Sequence, residues 1–330
     1  MAVSVIISNF NGAKYLPRLL ETLAAQRGVD LQIIVVDRNS TDESHQILAG
    51  HPNVLVVSEP PESGLVSGYD TGARHAVHPH LFFCNEDMWF DADCLAQLEK
   101  SLDTKAGVWA ADPWQWTYDG ATWIHGGTRF QKVPRYIANI PHPFRDMKFC
   151  VPLKHGETVA FGCAGAILVD RDAYRQLGGW DRGFFLDRED IDLFLRAWRA
   201  DLKCVCVPTA KVYHAVNVSN AKSINGGTLP VGKRRFISGC SSQLITSVKY
   251  FPLRWIVFHV LAYLLWSLTH LARLRLKQFG WEMLALREFA RRLPGAWNYR
   301  SQNRDLLRRR PGQTFFTEPA FQVPGGLAQS

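Results

Sequence analysis

The stretch VSVIISNFNGAKYLPRLLETLAAQRGVDLQIIVVD (residues 3–37) decides the fold, because it contains a strand, a helix and a second strand in succession. The run at residues 3–8 is apolar and rich in β-branched residues, which is typical of a strand buried on both faces. Leucines then recur at helical spacing over residues 14–26, and a second apolar run follows at residues 31–36. A helix between two such strands predicts a parallel βαβ unit.

The alternation of apolar runs and helical patterns continues along the chain. Helices are predicted at residues 41–49 and 66–76, and strands at residues 54–58 and 81–84. Residues 105–160 are predicted to be irregular loops rich in Trp, His, Gly and Pro. Beyond them we predict strands at residues 164–169, 203–207 and 211–214 and helices at residues 171–177 and 188–200. We therefore expect an α/β fold with a mostly parallel sheet and helices on both faces.

Polar residues follow the predicted strands at each point where a strand ends. In open parallel sheets, ligands bind at the carboxyl ends of the strands, so such residues are candidates for a binding cleft. They are Ser8 with Asn9, Asp37 with Arg38, Ser58 with Glu59, and Asn85 with Glu86 and Asp87.

The positive charge of the chain is concentrated near its C-terminal end. The 330 residues carry a formal charge of +8, and residues 249–310 contain 13 Lys and Arg against 3 Asp and Glu. A basic segment suits an anionic membrane surface or nucleic acid. Because these basic residues interleave with long aliphatic runs, we expect a membrane surface and no nucleic acid.

Seven cysteines, an odd number without a CxxC pair, indicate reduced thiols rather than a disulfide framework. The N-terminus begins directly with a strand pattern, and no signal peptide is evident in it. We therefore expect a catalytic body in the cytosol.

Four motifs in a fixed order resemble a known family. They are IIVVDRNSTDES (residues 33–44), LFFCNEDMWFDADCL (81–95), GCAGAILVDRDAYRQLGGWDRGFFLDRED (162–190) and VPTAKVYHAVNVS (207–219). Together they resemble the inverting family 2 glycosyltransferases with a GT-A fold, especially bacterial rhamnosyltransferase-like members. The resemblance covers residues 1–220 strongly and residues 230–310 more loosely.

The resemblance implies a divalent metal, Mg²⁺ or Mn²⁺, that neutralises the departing diphosphate of a nucleotide sugar. Asp87 occupies the position of the metal-binding acid, and His214 that of a histidine that joins the metal or the diphosphate. Two other interpretations remain open at this point. Asp87 could be the N-cap of a helix at residues 89–98, and His214 could be structural.

The resemblance also implies donor-binding residues at the strand ends: Ser8, Asn9, Asp37, Arg38, Asp70, Asn85 and Glu86. Asp37 resembles the acid that binds the nucleobase, although an Asp-x-Asn-Ser sequence also forms turns well. Arg38 stands where the family often has Asn, which leaves the local base and ribose contacts open. Asp70 likewise stands where Asn is common.

Four carboxylates crowd into FFLDREDIDLFLRAW (residues 184–198), and two interpretations compete for them. Acids favour the first turn of a helix, where Asp187 could be the N-cap and Asp190 the third helical residue. The resemblance instead implies that Asp190 is the general base for the acceptor hydroxyl and that Glu189 orients the acceptor or the helix end. Asp187 and Asp192 are then structural.

The acceptor is expected to contact Trp180 and Asp181, which lie in the turn at residues 178–181, and His125 in the Trp-rich middle segment. Aromatic faces suit the stacking of sugar rings, while the alternative for the middle segment is loop packing.

The run at residues 255–272 has 18 residues without a charged side chain, which is the lower limit for a membrane span. Spanning would carry the Arg-rich tail across the membrane, against the positive-inside tendency. We therefore expect a helix that lies on the inner leaflet. A true span and a buried core or homodimer helix are the alternatives.

The predicted organisation follows from these parts. Residues 1–105 form the nucleotide-sugar half and residues 106–245 the acceptor-binding and catalytic half of one GT-A domain. Residues 246–310 form membrane-associating helices, and residues 311–330 a tail.

We expect an enzyme on the cytoplasmic face of the inner membrane that moves a sugar, rhamnose by resemblance, to a glycan or polyprenyl-linked glycan in polysaccharide synthesis. A nucleotidyltransferase acting on sugar phosphates and a non-catalytic carbohydrate-binding protein are the alternatives. The nucleotidyltransferase would normally show a basic, Gly-rich phosphate loop after the first strand, which this chain lacks.

Overall fold

A computed structural model describes residues 1–60, 64–130, 148–185, 187–215 and 232–323. These residues fall into two compact units that interleave along the sequence. The first unit comprises residues 1–60, 64–128, 150–185 and 200–215, and the second comprises residues 129–130, 148–149, 187–199 and 232–323.

The strands are β1 Ala2–Asn9, β2 Asp30–Asp37, β3 Val54–Ser58, β4 His80–Asn85, β5 Met88–Phe90, β6 Val108–Thr117, β7 Trp123–His125, β8 Thr128–Phe130, β9 Lys148–Cys150, β10 Thr158–Val159, β11 Ala166–Asp170 and β12 Lys203–His214. The helices are α1 Leu16–Ala24, α2 Ser44–Ala49, α3 Gly64–His75, α4 Cys94–Lys100, α5 Arg171–Gln176, α6 Glu189–Arg199, α7 Lys233–Tyr250, α8 Leu253–Ala272, α9 Leu276–Gln302 and α10 Arg304–Arg309.

The first unit is built on one sheet in the order β10-β12-β6-β11-β4-β1-β2-β3. Strands β3, β2, β1 and β4 pair in parallel, as do β6 and β12, while β11 runs antiparallel to both of its neighbours. The predicted α/β class with a mostly parallel sheet and a helical C-terminal segment is therefore confirmed.

The register of the parallel strands brings their carboxyl ends to one edge of the sheet. Ser8 lies opposite Asn85, Asn9 lies opposite Asp37, and Asp37 lies opposite Ser58. The predicted polar edge therefore exists, because β1, β2, β3 and β4 end together.

Helix α3 approaches β1 unusually closely, and two glycines on one face of the helix allow it. A Cβ at Gly68 would stand 2.3 Å from Ser8 Oγ, and a Cβ at Gly72 would stand 2.3 Å from Ile6 Cγ2. Real Cβ atoms do not approach other atoms this closely, so any side chain would push α3 away from the strand.

The prediction of an irregular middle segment is wrong for much of its length. β6 is a ten-residue strand inside the sheet, and β7 pairs with it. Pro113 in β6 has no backbone N–H, so it cannot donate a hydrogen bond to the neighbouring strand. The partner strand β12 accommodates this with a register shift between Val207 and Lys211, so the two strands predicted at 203–207 and 211–214 are one interrupted strand. Residues 131–147 lie outside the described residues.

The alternative of a helix at residues 89–98 is also wrong. Met88–Phe90 is a strand that pairs antiparallel with β12, and the helix starts only at Cys94. Asp87 is therefore not a helix N-cap.

The second unit is helical and contains α6 together with α7 to α10. Asp192 on α6 is fully buried there. Its Oδ1 accepts from Lys249 Nζ and, at 2.6 Å, from the Tyr250 hydroxyl, and its Oδ2 lies 2.7 Å from Arg196 Nη2. Asp192 is thus structural, as expected.

The alternative in which Asp187 is the N-cap of α6 is wrong. The helix begins at Glu189, and the preceding Asp187 and Arg188 both have positive φ, at 69° and 75°. Asp187 instead pairs with Arg235, whose Nη2 lies 3.1 Å from its Oδ1.

Helix α8 is long and apolar enough to cross a membrane, by length and composition alone. Much of its apolar surface faces outward: Leu253, Leu261, Leu265 and Leu268 are each more than half exposed.

Candidate functional site

The two predicted metal ligands lie side by side in the first unit. β12 pairs with β5 so that His214 lies opposite Met88, the residue after Asp87. As a result His214 Nε2 is 3.1 Å from Asp87 Oδ1. Asp87 Oδ1 is buried and accepts no well-directed hydrogen bond within the described residues. A buried carboxylate oxygen beside an imidazole nitrogen suits a divalent cation.

Asn85 and Glu86 are held in place beside Asp87. The hydroxyl of buried Tyr69 donates to Asn85 Oδ1 at 2.8 Å, and the bare backbone of Gly165 leaves room for the Asn85 amide. Burial, and after it the neighbouring Asp87 charge, raises the pKa of Glu86 to about 7. A strand-end carboxyl that titrates near neutrality is typical of a functional site.

Asp37 is fully buried, and both of its oxygens are engaged by the chain. Oδ1 accepts from Asn9 Nδ2 at 2.7 Å and from the Ser40 hydroxyl at 2.6 Å, and Oδ2 accepts from Ser40 N at 3.0 Å. His45 Nε2 is 3.3 Å from Oδ2. These are the bonds of a turn-forming aspartate, while the contact with a nucleobase stays a prediction.

Ser8 and Asn9 are buried at the end of β1, next to Asp37. Ser8 Oγ and Asn9 Oδ1 have no hydrogen-bond partner within the described part of the chain. Unsatisfied buried polar atoms are costly, so a ligand at this edge would find acceptors in place. Arg38, the other predicted donor residue here, lies with its guanidinium 5.2 Å from the centre of the Phe10 ring.

Arg182 joins Asp70 to Glu59, one of the predicted strand-end residues, and to Ser67, which the sequence did not single out. Its Nη2 lies 2.8 Å from Glu59 Oε1 and 2.6 Å from Ser67 Oγ, and its Nε lies 3.6 Å from Asp70 Oδ2. Asp70 also pairs with Arg74 at 2.7 Å. The signal available in the sequence was a single Arg inside the GGWDRGFF block, and its partners lie more than a hundred residues away.

The three predicted acceptor residues occupy different environments. Trp180 is 2% exposed and packs against Tyr69, Phe83 and Tyr174, so the structure places it in the core and not on an open wall. Asp181 is half-buried, and its Oδ1 accepts from Gly183 N at 2.7 Å.

His125, the third of them, is held at both ring nitrogens. Nε2 is 2.8 Å from Asp112 Oδ2, and Nδ1 is 3.3 Å from the Sγ of exposed Cys150. Burial alone would lower the pKa of His125, but the Asp112 carboxylate and Cys150 outweigh it and raise this pKa well above the ordinary value. Asp112 and Cys150 were not predicted from the sequence, because Asp112 lies on β6, His125 on β7 and Cys150 on β9, and only the fold brings the three side chains together. All seven cysteines are free thiols.

Glu189 and Asp190 form the first turn of α6 in the second unit. Glu189 is buried, whereas Asp190 is half-buried and its Oδ1 lies 2.7 Å from Ile191 N. Their predicted catalytic roles stay predictions.

Within the described residues, no group of three or more His, Cys, Asp and Glu side chains could enclose a metal ion. Asp87 and His214 therefore offer a partial ligand set, which a ligand's own oxygens would complete.

Comparisons with known proteins agree with this architecture. The crystal structure of GalNAc-T7 with UDP, GalNAc and Mn²⁺ superimposes with a TM-score of 0.56 at 15% identity, over 77% of this chain and 48% of that one. This likeness shows the GT-A fold.

Curated relatives match shorter stretches. The chain is 46% identical over 48 residues to an uncharacterized glycosyltransferase of Nostoc sp., covering 14% of this chain and 15% of that protein. It is 30% identical over 108 residues to the chondroitin synthase of Escherichia coli, covering 30% and 16%. It is 31% identical over 100 residues to a PGL/p-HBAD biosynthesis glycosyltransferase of Mycobacterium bovis, covering 29% and 39%. The matches thus span well under two thirds of each relative.

The model of the family described as "Glycosyl transferase family 2" matches residues 4–178, which is more than half of the sequence. These residues include the polar edge of the sheet, with Asp37 and the Asn85-Glu86-Asp87 turn. The chain therefore belongs to glycosyl transferase family 2.

Proposed function

We propose that the protein transfers a sugar from a nucleotide-diphosphate donor to a glycan or lipid-linked glycan, with inversion at the anomeric carbon. The observation that carries this proposal is the approach of His214 to Asp87 at the carboxyl edge of the sheet. Two chemically suited ligands from strands far apart in sequence meet where a nucleotide sugar would present its diphosphate.

A bound Mg²⁺ or Mn²⁺ would supply positive charge against the diphosphate oxygens. Asp87 and His214 would hold it, with the remaining ligands from the donor and water. Asn85, fixed by Tyr69, would orient the donor beside them. Ser8 Oγ and Asn9 Oδ1, which have no hydrogen-bond partner among the described residues, offer buried acceptors for donor hydroxyl or amine groups.

Asp190 would accept the proton of the acceptor hydroxyl as the donor's glycosidic bond to the diphosphate breaks. It lies in the first turn of α6 and is half-buried there. Rhamnose from a deoxythymidine-diphosphate donor is proposed from the rhamnosyltransferase-like motifs alone.

The site of action is proposed to be the cytoplasmic face of the inner membrane, with the protein bound peripherally. The support comes from α8, whose leucines are exposed, and from the basic residues Arg273, Arg275 and Lys277 that follow it. Each basic residue near an anionic surface contributes about 1 kcal/mol.

The first test is a thermal-shift screen of UDP, GDP and dTDP with and without Mn²⁺ or Mg²⁺. A selective nucleotide at one hundred times its Kd should stabilise the full-length protein by about 2.7 kcal/mol. Absence of any stabilisation across the panel would contradict donor binding.

The second test compares Asp87→Ala and His214→Ala with Asp30→Ala, a change at an exposed position. We expect both site variants to fold normally and to lose the metal-dependent part of the shift, while the control keeps it. Sugar transfer by Asp87→Ala at the normal rate and metal dependence would overturn the assignment. NMR of the product's anomeric configuration then tests inversion.

A further inference from the structure

The helical second unit contains an apolar cavity of about 780 Å³ between α8 and α9. Ile256, Val257 and Val260 form one wall, and Phe289 and Leu293 form the other. Pro294 lies in the α9 wall, where it removes one helical hydrogen bond. The lining of the cavity extends along α9 from Phe289 to Ser301 and is mostly apolar, so the cavity can hold a hydrocarbon chain.

A second cavity of about 550 Å³ adjoins the first, since Trp297 and Ser301 line both. Its character is the opposite: four arginines, Arg254, Arg300, Arg304 and Arg308, surround it, and none of the described residues that line it is acidic. An apolar cavity therefore continues into a cationic one.

The positive charge of this second cavity is poorly compensated by the described residues. Arg308 has an acidic neighbour, Asp305, at 3.9 Å, and both side chains are more than 80% exposed, so their attraction is weak. Arg300 is positioned by carbonyls, because its Nη1 donates to Val248 O at 3.0 Å and Phe251 O at 2.6 Å. Burial, and then the charge of Arg304, lowers the pKa of Arg300, which reflects this crowding of like charges.

We propose that the two cavities together bind a single-chain lipid phosphate or diphosphate, with the chain between α8 and α9 and the phosphate among the four arginines. The single apolar cavity fits one hydrocarbon chain, which disfavours a membrane phospholipid with two chains. Four arginines exceed what a singly charged phosphodiester requires, and arginine forks suit phosphate oxygens. The proposal deepens the proposed function, on which it rests, by identifying the lipid carrier of the acceptor as the occupant.

The test uses calorimetry to measure the binding of farnesyl diphosphate to the full-length protein, in a non-ionic detergent that contains EDTA. EDTA removes any divalent ion, so a diphosphate cannot bind through Asp87 and His214. Farnesol tests the hydrocarbon chain alone, and inorganic diphosphate tests the charged head group alone. We expect farnesyl diphosphate to bind at least ten times more tightly than either of them.

The charge variant is Arg304→Gln with Arg308→Gln. Its matched control is Arg287→Gln with Arg309→Gln, which removes the same charge from exposed positions that line neither cavity. We expect the first pair to weaken farnesyl diphosphate binding at least tenfold and the control pair to change it less than twofold. Equal effects of the two pairs would overturn the proposal, because they would indicate general charge attraction.

The variant of the apolar cavity is Val257→Gln, and its control is Leu268→Gln. Both residues lie on α8 and are about half exposed, but of the two only Val257 lines the cavity. Val257→Gln should weaken farnesyl diphosphate at least fivefold and leave inorganic diphosphate unchanged. Inorganic diphosphate binding as tightly as farnesyl diphosphate, or phosphatidylglycerol vesicles competing as well as it does, would also overturn the proposal. Binding in EDTA does not depend on transfer, so a failed donor test would leave this result standing.

Discussion

Asp190 and Asp192 lie two positions apart on α6, and Asp190 is half-buried, whereas Asp192 is fully buried and held by two cations. Replacing it by Asn should lower the free energy of unfolding by about 3–5 kcal/mol, because Lys249 and Arg196 would remain in the interior without a countercharge. Urea unfolding at pH 7 measures the loss. A change below 1 kcal/mol would show that the ion pair contributes little.

The ion pairs of Asp192 also predict that the stability of the protein depends on pH. Burial alone would raise the pKa of Asp192, but Lys249 and then Arg196 outweigh it and lower this pKa well below 3.8. The stabilisation is therefore present above pH 4 and is lost as the pH falls below that value. The difference in stability between wild type and Asp192→Asn should shrink in acid.

Asp190→Asn keeps the shape of the side chain and removes the proton acceptor. If Asp190 is the general base, the variant should fold normally and bind the donor normally, and its turnover should fall about 10²–10⁴-fold. A role in the helix N-terminus alone would cost about 1 kcal/mol and leave turnover unchanged. Turnover per folded molecule, from activity and unfolding measured on one sample, separates the two.

Two glycines in helices should respond to alanine in opposite directions. Gly72→Ala should destabilise by about 1–3 kcal/mol, since its Cβ would stand 2.3 Å from Ile6 Cγ2. Gly280→Ala on α9 should stabilise by about 0.5–1 kcal/mol, because its Cβ would meet nothing within 4 Å and alanine favours the helix. Thermal unfolding of both variants provides the comparison, and a shift of the same sign in both would contradict it.

Cys150 should react faster with iodoacetamide at pH 7 than an ordinary exposed thiol. The raised pKa of His125 keeps the imidazole protonated beside the Cys150 sulfur, which favours the reactive thiolate. Asp112→Asn should slow alkylation of Cys150 several-fold, while Asp30→Asn should not. Peptide mass spectrometry gives the rate for each cysteine. Equal rates in wild type and Asp112→Asn would show that the Asp112–His125 contact does not activate the thiol.

The apolar runs predicted most strands because parallel strands are buried on both faces and cannot contain many polar residues. Strand β6 was not predicted because Asp112, Pro113 and Gln115 interrupt its apolar pattern. Its place in the sheet also depends on β12, which comes much later in the chain. Its burial is therefore a tertiary effect that no local pattern contains.

The same distinction applies to the candidate site. The proximity of Asp87 and His214 could be predicted because each follows or ends a strand, and strand ends converge. Their role as metal ligands came from the family resemblance and stays a prediction. The contacts of Arg182 could not be predicted, since it lies in a turn that no strand end marks, and only the fold brings it to Glu59 and Ser67. Asp187 and Arg188 precede α6 with positive φ angles that no glycine or asparagine indicates in the sequence, although the predicted start of the helix at residue 188 lies within one residue of its observed start at Glu189.

The burial of Asp192 also bears on how the chain is made. Lys249 is 57 residues further along, so at typical rates of synthesis roughly 3–11 seconds separate the two on the ribosome. During that interval α6 exists without the partners that neutralise its buried acid, and the helical unit cannot close. A chain that stops before Lys249 should never reach the native state, whereas one released after Tyr250 carries both partners of Asp192 from α7. Maturation of this protein is therefore expected to finish only after translation has passed α7.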